Sequence, residues 1–138
     1  MKHILAASIL FAAAMPAAAQ TVETATGDWS AIPEMRRQNG ASIETDAIMA
    51  ISEAMDRGDC VIAGQRRRNV DVNMPFLVLF DASGSVERLV IQPLGCARAE
   101  GLFAGAVLRM VQRGAFTPIG HRRQGWFRGE IGFAISNS

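Results

Sequence analysis

The run Phe76-Leu77-Val78-Leu79-Phe80 constrains this chain more than any other stretch. Five consecutive large apolar residues leave no polar face, so the segment reads as a central strand covered, or nearly so, on both sides. Pro75 stands at its start, where a missing amide is tolerated. Asp81-Ala82-Ser83-Gly84 follows as a four-residue turn, and Val86 to Ile91 returns with β-branched residues at 86, 90 and 91. The two runs make a β-hairpin.

Such a strand needs cover, and two helical patterns supply it. Ser42 to Arg57 places Ile48, Ile51 and Met55 on one face with Ala47 and Ala54 beside them. Ser42 is the expected cap, Glu44 and Asp46 suit the positive N-terminal end, and Gly58 is the stop. Residues 97–113 carry the stripe Leu102, Phe103, Ala106, Val107 and Met110, with Arg109 and Arg113 in the last turns and Gly114 beyond them. Gly101 and Gly105 lie beside the stripe. Each costs up to about 1 kcal/mol against Ala in a helix, which points to close backbone approach by a neighbour or to plain tolerance.

Phe116-Thr117-Pro118 opens a turn-rich loop that ends at Gly125. Trp126 to Ile135 then alternates. Phe127, Ile131, Phe133 and Ile135 fall on one face, and Trp126, Arg128, Glu130 and Gly132 on the other, as in a half-buried strand. The order α-β-β-α-β predicts an α+β fold. Its three-stranded antiparallel sheet has the order 2-1-3, with both helices on one face, a split β-α-β arrangement. The last strand becomes an exposed edge. Residues 20–40, punctuated by Gly27, Pro33 and Gly40, read as an extended arm anchored by Trp29 and Ile32, ahead of a single domain over 41–138.

Residues 1–19 have another character. Lys2 and His3 precede an apolar run from Ile4 to Met15, and Ala17-Ala18-Ala19 supply small residues for cleavage. This is the pattern of a secretory signal peptide, too short to span a bilayer; an uncleaved anchor is the alternative. Cleavage after Ala19 would yield an exported chain without a transmembrane segment. Lys2 is the sole lysine, so 13 of the 14 basic residues are arginines, against 13 acidic residues. That balance excludes an obvious nucleic-acid binder. In an oxidising compartment Cys60 and Cys96 read as a disulfide, with a redox or catalytic thiol pair as the alternative.

From Phe76 through the Gly84-Ser85-Val86 turn to Ile91, the hairpin resembles the first hairpin of the TonB/TolA C-terminal-domain family of periplasmic proteins. Leu102 to Val111 resembles that family's helix, and Phe116-Thr117-Pro118 its F-x-P signature before the last strand. The resemblance spans residues 76–135. It implies the fold and the periplasm. The family's Y-P-x-x-A opening is absent, and no proline-rich spacer is present.

No metal, cofactor or catalytic motif stands out in the sequence. His121, beside Arg122-Arg123, reads as a loop residue in solvent. Asp81 and Glu130 read as isolated carboxylates, and the acids at 44, 46, 53, 56 and 59 as a solvated face. Arg66-Arg67-Arg68 with Arg122 and Arg123 form a basic surface suited to an anionic partner, or are ordinary arginines balanced by acids. The expected function is a non-enzymatic module that contacts a protein partner in the cell envelope. Strand addition along Trp126 to Ile135 would give affinity, and Trp126, Arg128 and Glu130 selectivity. The alternatives are a small exported enzyme or an envelope-stress structural protein.

Overall fold

A computed structural model describes residues 22–59, 61–62 and 69–136. The expected signal peptide over residues 1–19, Cys60 and Arg66-Arg67-Arg68 lie outside the described residues. The chain forms β1 (Glu23–Thr24), β2 (Met35–Arg37), α1 (Thr45–Asp56), β3 (Asn69–Phe80), β4 (Val86–Ile91), α2 (Ala97–Gln112), β5 (Phe116–Pro118) and β6 (Gly125–Ser136).

The hairpin is β3–β4, and β6 lies antiparallel on the other side of β3. The doubly apolar strand is therefore central, as its composition requires. The sheet is nonetheless not three-stranded and antiparallel. It has four strands in the order β1-β4-β3-β6, because β1 pairs parallel to β4 through Glu23↔Val90 and Thr24↔Ile91. Two residues of no periodicity carry no strand signal, so this parallel strand is invisible until β4 offers an edge to pair with. The presumed arm is likewise built into the body: β2 pairs antiparallel with β5 in a second, two-stranded sheet. Met35 is its buried anchor, while Trp29 and Ile32 are half-buried.

β3 begins at Asn69, seven residues before the apolar run. Pairing with β4 stops at Phe76↔Ile91, whereas pairing with β6 continues to Asn69↔Ser136. Pro75 lies one residue beyond the end of the β4 ladder, so its missing amide interrupts no bond to that strand.

Both helices pack on one face of the sheet. Phe76, Val78 and Phe80 of β3 share a core with Phe127, Ile131 and Phe133 of β6, Ile51 and Met55 of α1, and Phe103, Val107 and Met110 of α2. Fully enclosed Phe76, Phe103 and Phe127 each contribute about 1.5–3 kcal/mol of transfer free energy. Edge-on ring contacts join Phe76 to Phe116 at 5.0 Å and Phe80 to Phe127 at 5.9 Å.

The helix termini correct one expectation and meet another. Ser42 is exposed and does not cap α1. The cap position is Glu44, whose side chain makes no capping bond and instead reaches Arg109 and Arg113 of α2. Both helices stop at glycine. The amides of Gly58 and Asp59 bond the carbonyls of Met55 and Ala54, and those of Gly114 and Ala115 bond Val111 and Met110. These paired bonds need a left-handed residue, met by φ of 77° at Gly58 and 79° at Gly114.

Candidate partner-binding edge

The sheet face turned away from the helices carries the residues expected to meet a partner. Register sets them in rows: Arg88, Leu79 and Trp126 cross β4, β3 and β6 in one, and Val90, Leu77 and Arg128 in the next. The Arg88 guanidinium lies 5.1 Å from the Trp126 ring centroid, reaching over the intervening Leu79. It also donates to the Glu23 carboxylate of β1. That hydrogen bond holds the Glu23 carboxyl below its ordinary value and raises Arg88. Trp126 is thus half-buried beneath a cation, and Leu77 in the adjoining row is 8% exposed. This face is covered by polar side chains crossing between strands, not by a layer of helices.

Arg128 is engaged three ways by the segment preceding β2. Its amide donates to the Pro33 carbonyl at 2.8 Å, its Nε donates to the Ile32 carbonyl at 2.9 Å, and its guanidinium pairs with Glu34. Glu34 and Arg128 form a parallel β-bridge. The last strand is therefore not the fully open edge its position implied: around Arg128 the chain has already laid an extended segment of its own against it. Glu130, expected as an isolated carboxylate, accepts from the Asn73 side-chain amide across the ladder.

Because backbone groups alternate in direction along a strand, the outward amide of Arg128 fixes the rest. Glu130, Gly132 and Ala134 also turn their amide and carbonyl groups away from β3. Among the described residues, no hydrogen bond between backbones takes these outward groups. Among the described residues, the part of the edge without a strand partner lies beyond Arg128, and Met35 and Arg37 of β2 border its near end across a small cleft with Gly129 and Glu130.

The remaining candidates act locally. Arg122 and Arg123 donate to the Gln124 and Pro118 carbonyls and so brace the loop before β6. His121 is exposed in the same loop. Asp81 closes the β3–β4 turn, accepting from the amides of Ser83 and Ser85 and from the Ser83 hydroxyl. The hydroxyl bond is the main reason its carboxyl lies below the ordinary range. Cys96 is the buried cap residue of α2: its sulfur accepts from the Ala99 amide, and it is not a free thiol.

Pro33, Glu34 and Asn73 have no counterpart among the sequence-based candidates. Their partners stand 57 to 95 residues away, with no periodicity to link them. Among the described residues, no helix is long and apolar enough to cross a membrane. No family model, curated protein or solved structure matches the chain.

Proposed function

We propose that this chain is a small exported, non-enzymatic module of the periplasm, resembling the TonB C-terminal domain, that binds a protein partner of the cell envelope by strand addition along β6. The observation that carries this reading is the outward row of backbone groups at Glu130, Gly132 and Ala134, continuous with a position where the same edge already receives Pro33. Main-chain bonds to that row supply affinity, and neighbouring side chains supply selectivity. Trp126 and Arg128 are committed to contacts within the chain, so Glu130 is the one of the three expected selectivity residues that lies on the open half.

The same reading puts the protein in an oxidising compartment and pairs Cys96 with Cys60, the only other cysteine. The bridge would tie the segment after α1 to the start of α2, while Glu44, Arg109 and Arg113 join the two helices at their opposite ends.

Affinity capture from a cell-envelope extract tests the reading. Gly132→Pro removes an outward amide without touching the β3 ladder, so a folded Gly132→Pro protein should lose the partners that the unaltered chain retains. If a well-folded variant captures the same partners equally well, strand addition along β6 is wrong.

A further inference from the structure

The small β2–β5 sheet has two unlike faces. Met35 and Phe116 are buried and turn one face to the body of the protein. Arg36, level with Thr117, lies on the other and is exposed. The Ile119 amide carries the ladder one rung further by donating to the Glu34 carbonyl. Alternation then puts the Ile119 side chain on the side of Thr117 and Arg36. It is 48% exposed, one of only three large apolar side chains so open among the described residues.

Charge that is balanced elsewhere is unbalanced here. Arg57, Arg88, Arg109, Arg113 and Arg128 each pair with a carboxylate. Arg36 and Arg37 on β2, and Arg122 and Arg123 in the loop after β5, do not; among the described residues only Arg98 of α2 shares that condition. Arg123 donates to the Pro118 carbonyl at 3.3 Å and Arg122 to the Gln124 carbonyl at 3.0 Å. A carbonyl holds a guanidinium in place without neutralising it. Glu34, opposite Ile119, is taken by Arg128. No acid occurs from 35 to 43 or from 101 to 129.

We propose that this face docks the protein on an anionic lipid surface, with Arg36, Arg122 and Arg123 on headgroup phosphates and Ile119 entering the interface beside them. Guanidinium forks match phosphate oxygens two at a time. An acidic protein segment would answer the arginines but give Ile119 no apolar partner. A lipid interface takes both, because such surfaces bind through buried apolar area together with attraction to anionic lipid. Arg123 holds the residue just before Ile119, and Arg36 stands across from the residue two before it, so cations and apolar side chain are presented together. The docking uses none of the outward backbone groups at Glu130, Gly132 and Ala134 and does not depend on strand addition there.

Vesicle sedimentation tests it, with the protein as recovered from the cells that make it. Vesicles of phosphatidylcholine and phosphatidylglycerol in equal parts should carry the protein down more strongly than pure phosphatidylcholine, and added salt should remove the difference. Arg36→Gln, Arg122→Gln and Arg123→Gln, each folded by circular dichroism, should lower the partition constant about fivefold, the share of one basic residue near an anionic surface. Arg36 makes no bond within the described chain, so its variant tests the charge alone. Ile119→Ser should weaken binding without changing its salt dependence. Arg98→Gln removes the same charge from α2 and should leave binding unchanged; an equal loss there would reduce the effect to net charge and overturn the proposal. Equal binding to both kinds of vesicle also overturns it. Binding to polyglutamate but not to anionic vesicles overturns it in favour of an acidic protein partner.

Discussion

Gly129 and Phe76 face each other across the β3–β6 ladder, and the Phe76 ring occupies the space a side chain at 129 would need. A Cβ built on Gly129 would lie 2.9 Å from Cε2 of the ring and closer still to Cζ. The ring meets Phe116 edge-on at 86° and is fully buried, so it has little freedom to withdraw. Gly129→Ala should therefore destabilise the protein by about 1–3 kcal/mol, the usual cost of overpacking a core. Urea denaturation measures it. Combining Gly129→Ala with Phe76→Leu should cost less than the sum of the single changes, because the smaller side chain removes the clash.

Asp81 predicts an acid-labile turn. Its folded carboxyl lies below the ordinary value of 3.8, chiefly through the Ser83 hydroxyl and then through the Ser85 amide. A depressed carboxyl contributes stability above its unfolded value, and that contribution is lost as pH falls through the folded one. The melting temperature should thus decline from about pH 4 downward. In Asp81→Asn the decline should be shallower, since the amide oxygen still accepts but does not titrate. Glu23 and Glu44, also depressed by arginine hydrogen bonds, leave a residual slope starting from their ordinary value of 4.5. A pH series of melting curves gives both slopes.

The proposed Cys60–Cys96 bridge closes a loop of about 36 residues and should stabilise the fold by about 3–4 kcal/mol. Thiol titration of the folded, unreduced protein should find no free thiol, and reduction should lower the denaturation midpoint accordingly. Two titratable thiols would refute the pairing.

Arg88 joins three strands, bonding Glu23 of β1 and covering Trp126 of β6 from its place on β4. In a Trp29→Phe background, Trp126 is the remaining fluorophore. Arg88→Ala should red-shift its emission as water reaches the ring. Glu23→Gln should leave the shift smaller, because the cation stays while its anchor weakens. An unchanged spectrum in Arg88→Ala would show that the guanidinium does not shield Trp126.

The hairpin, both helices and the alternating last strand were readable from residue order, because each is governed by short-range patterns. The five-residue run Phe76 to Phe80 has no polar face to give to water, and Gly58 and Gly114 stand where the helix stripes end. The central place of β3 follows from the same run. The candidate site was readable only in part. Alternation put Trp126, Arg128 and Glu130 on one face, but it carried no information about what lies against that face.

Everything that modified the expected sheet depends on contacts between distant residues. Glu23 and Thr24 are strand only because β4 has an unpaired edge, and Met35 to Arg37 are strand only because β5 is beside them. Arg128 holds Pro33 and Glu34 across more than ninety residues of chain. Local periodicity determines which segments are strands and helices with buried faces. Which edge each irregular segment covers is decided by hydrogen-bonding groups left unpaired once those elements have packed, and that remainder exists only in the folded chain.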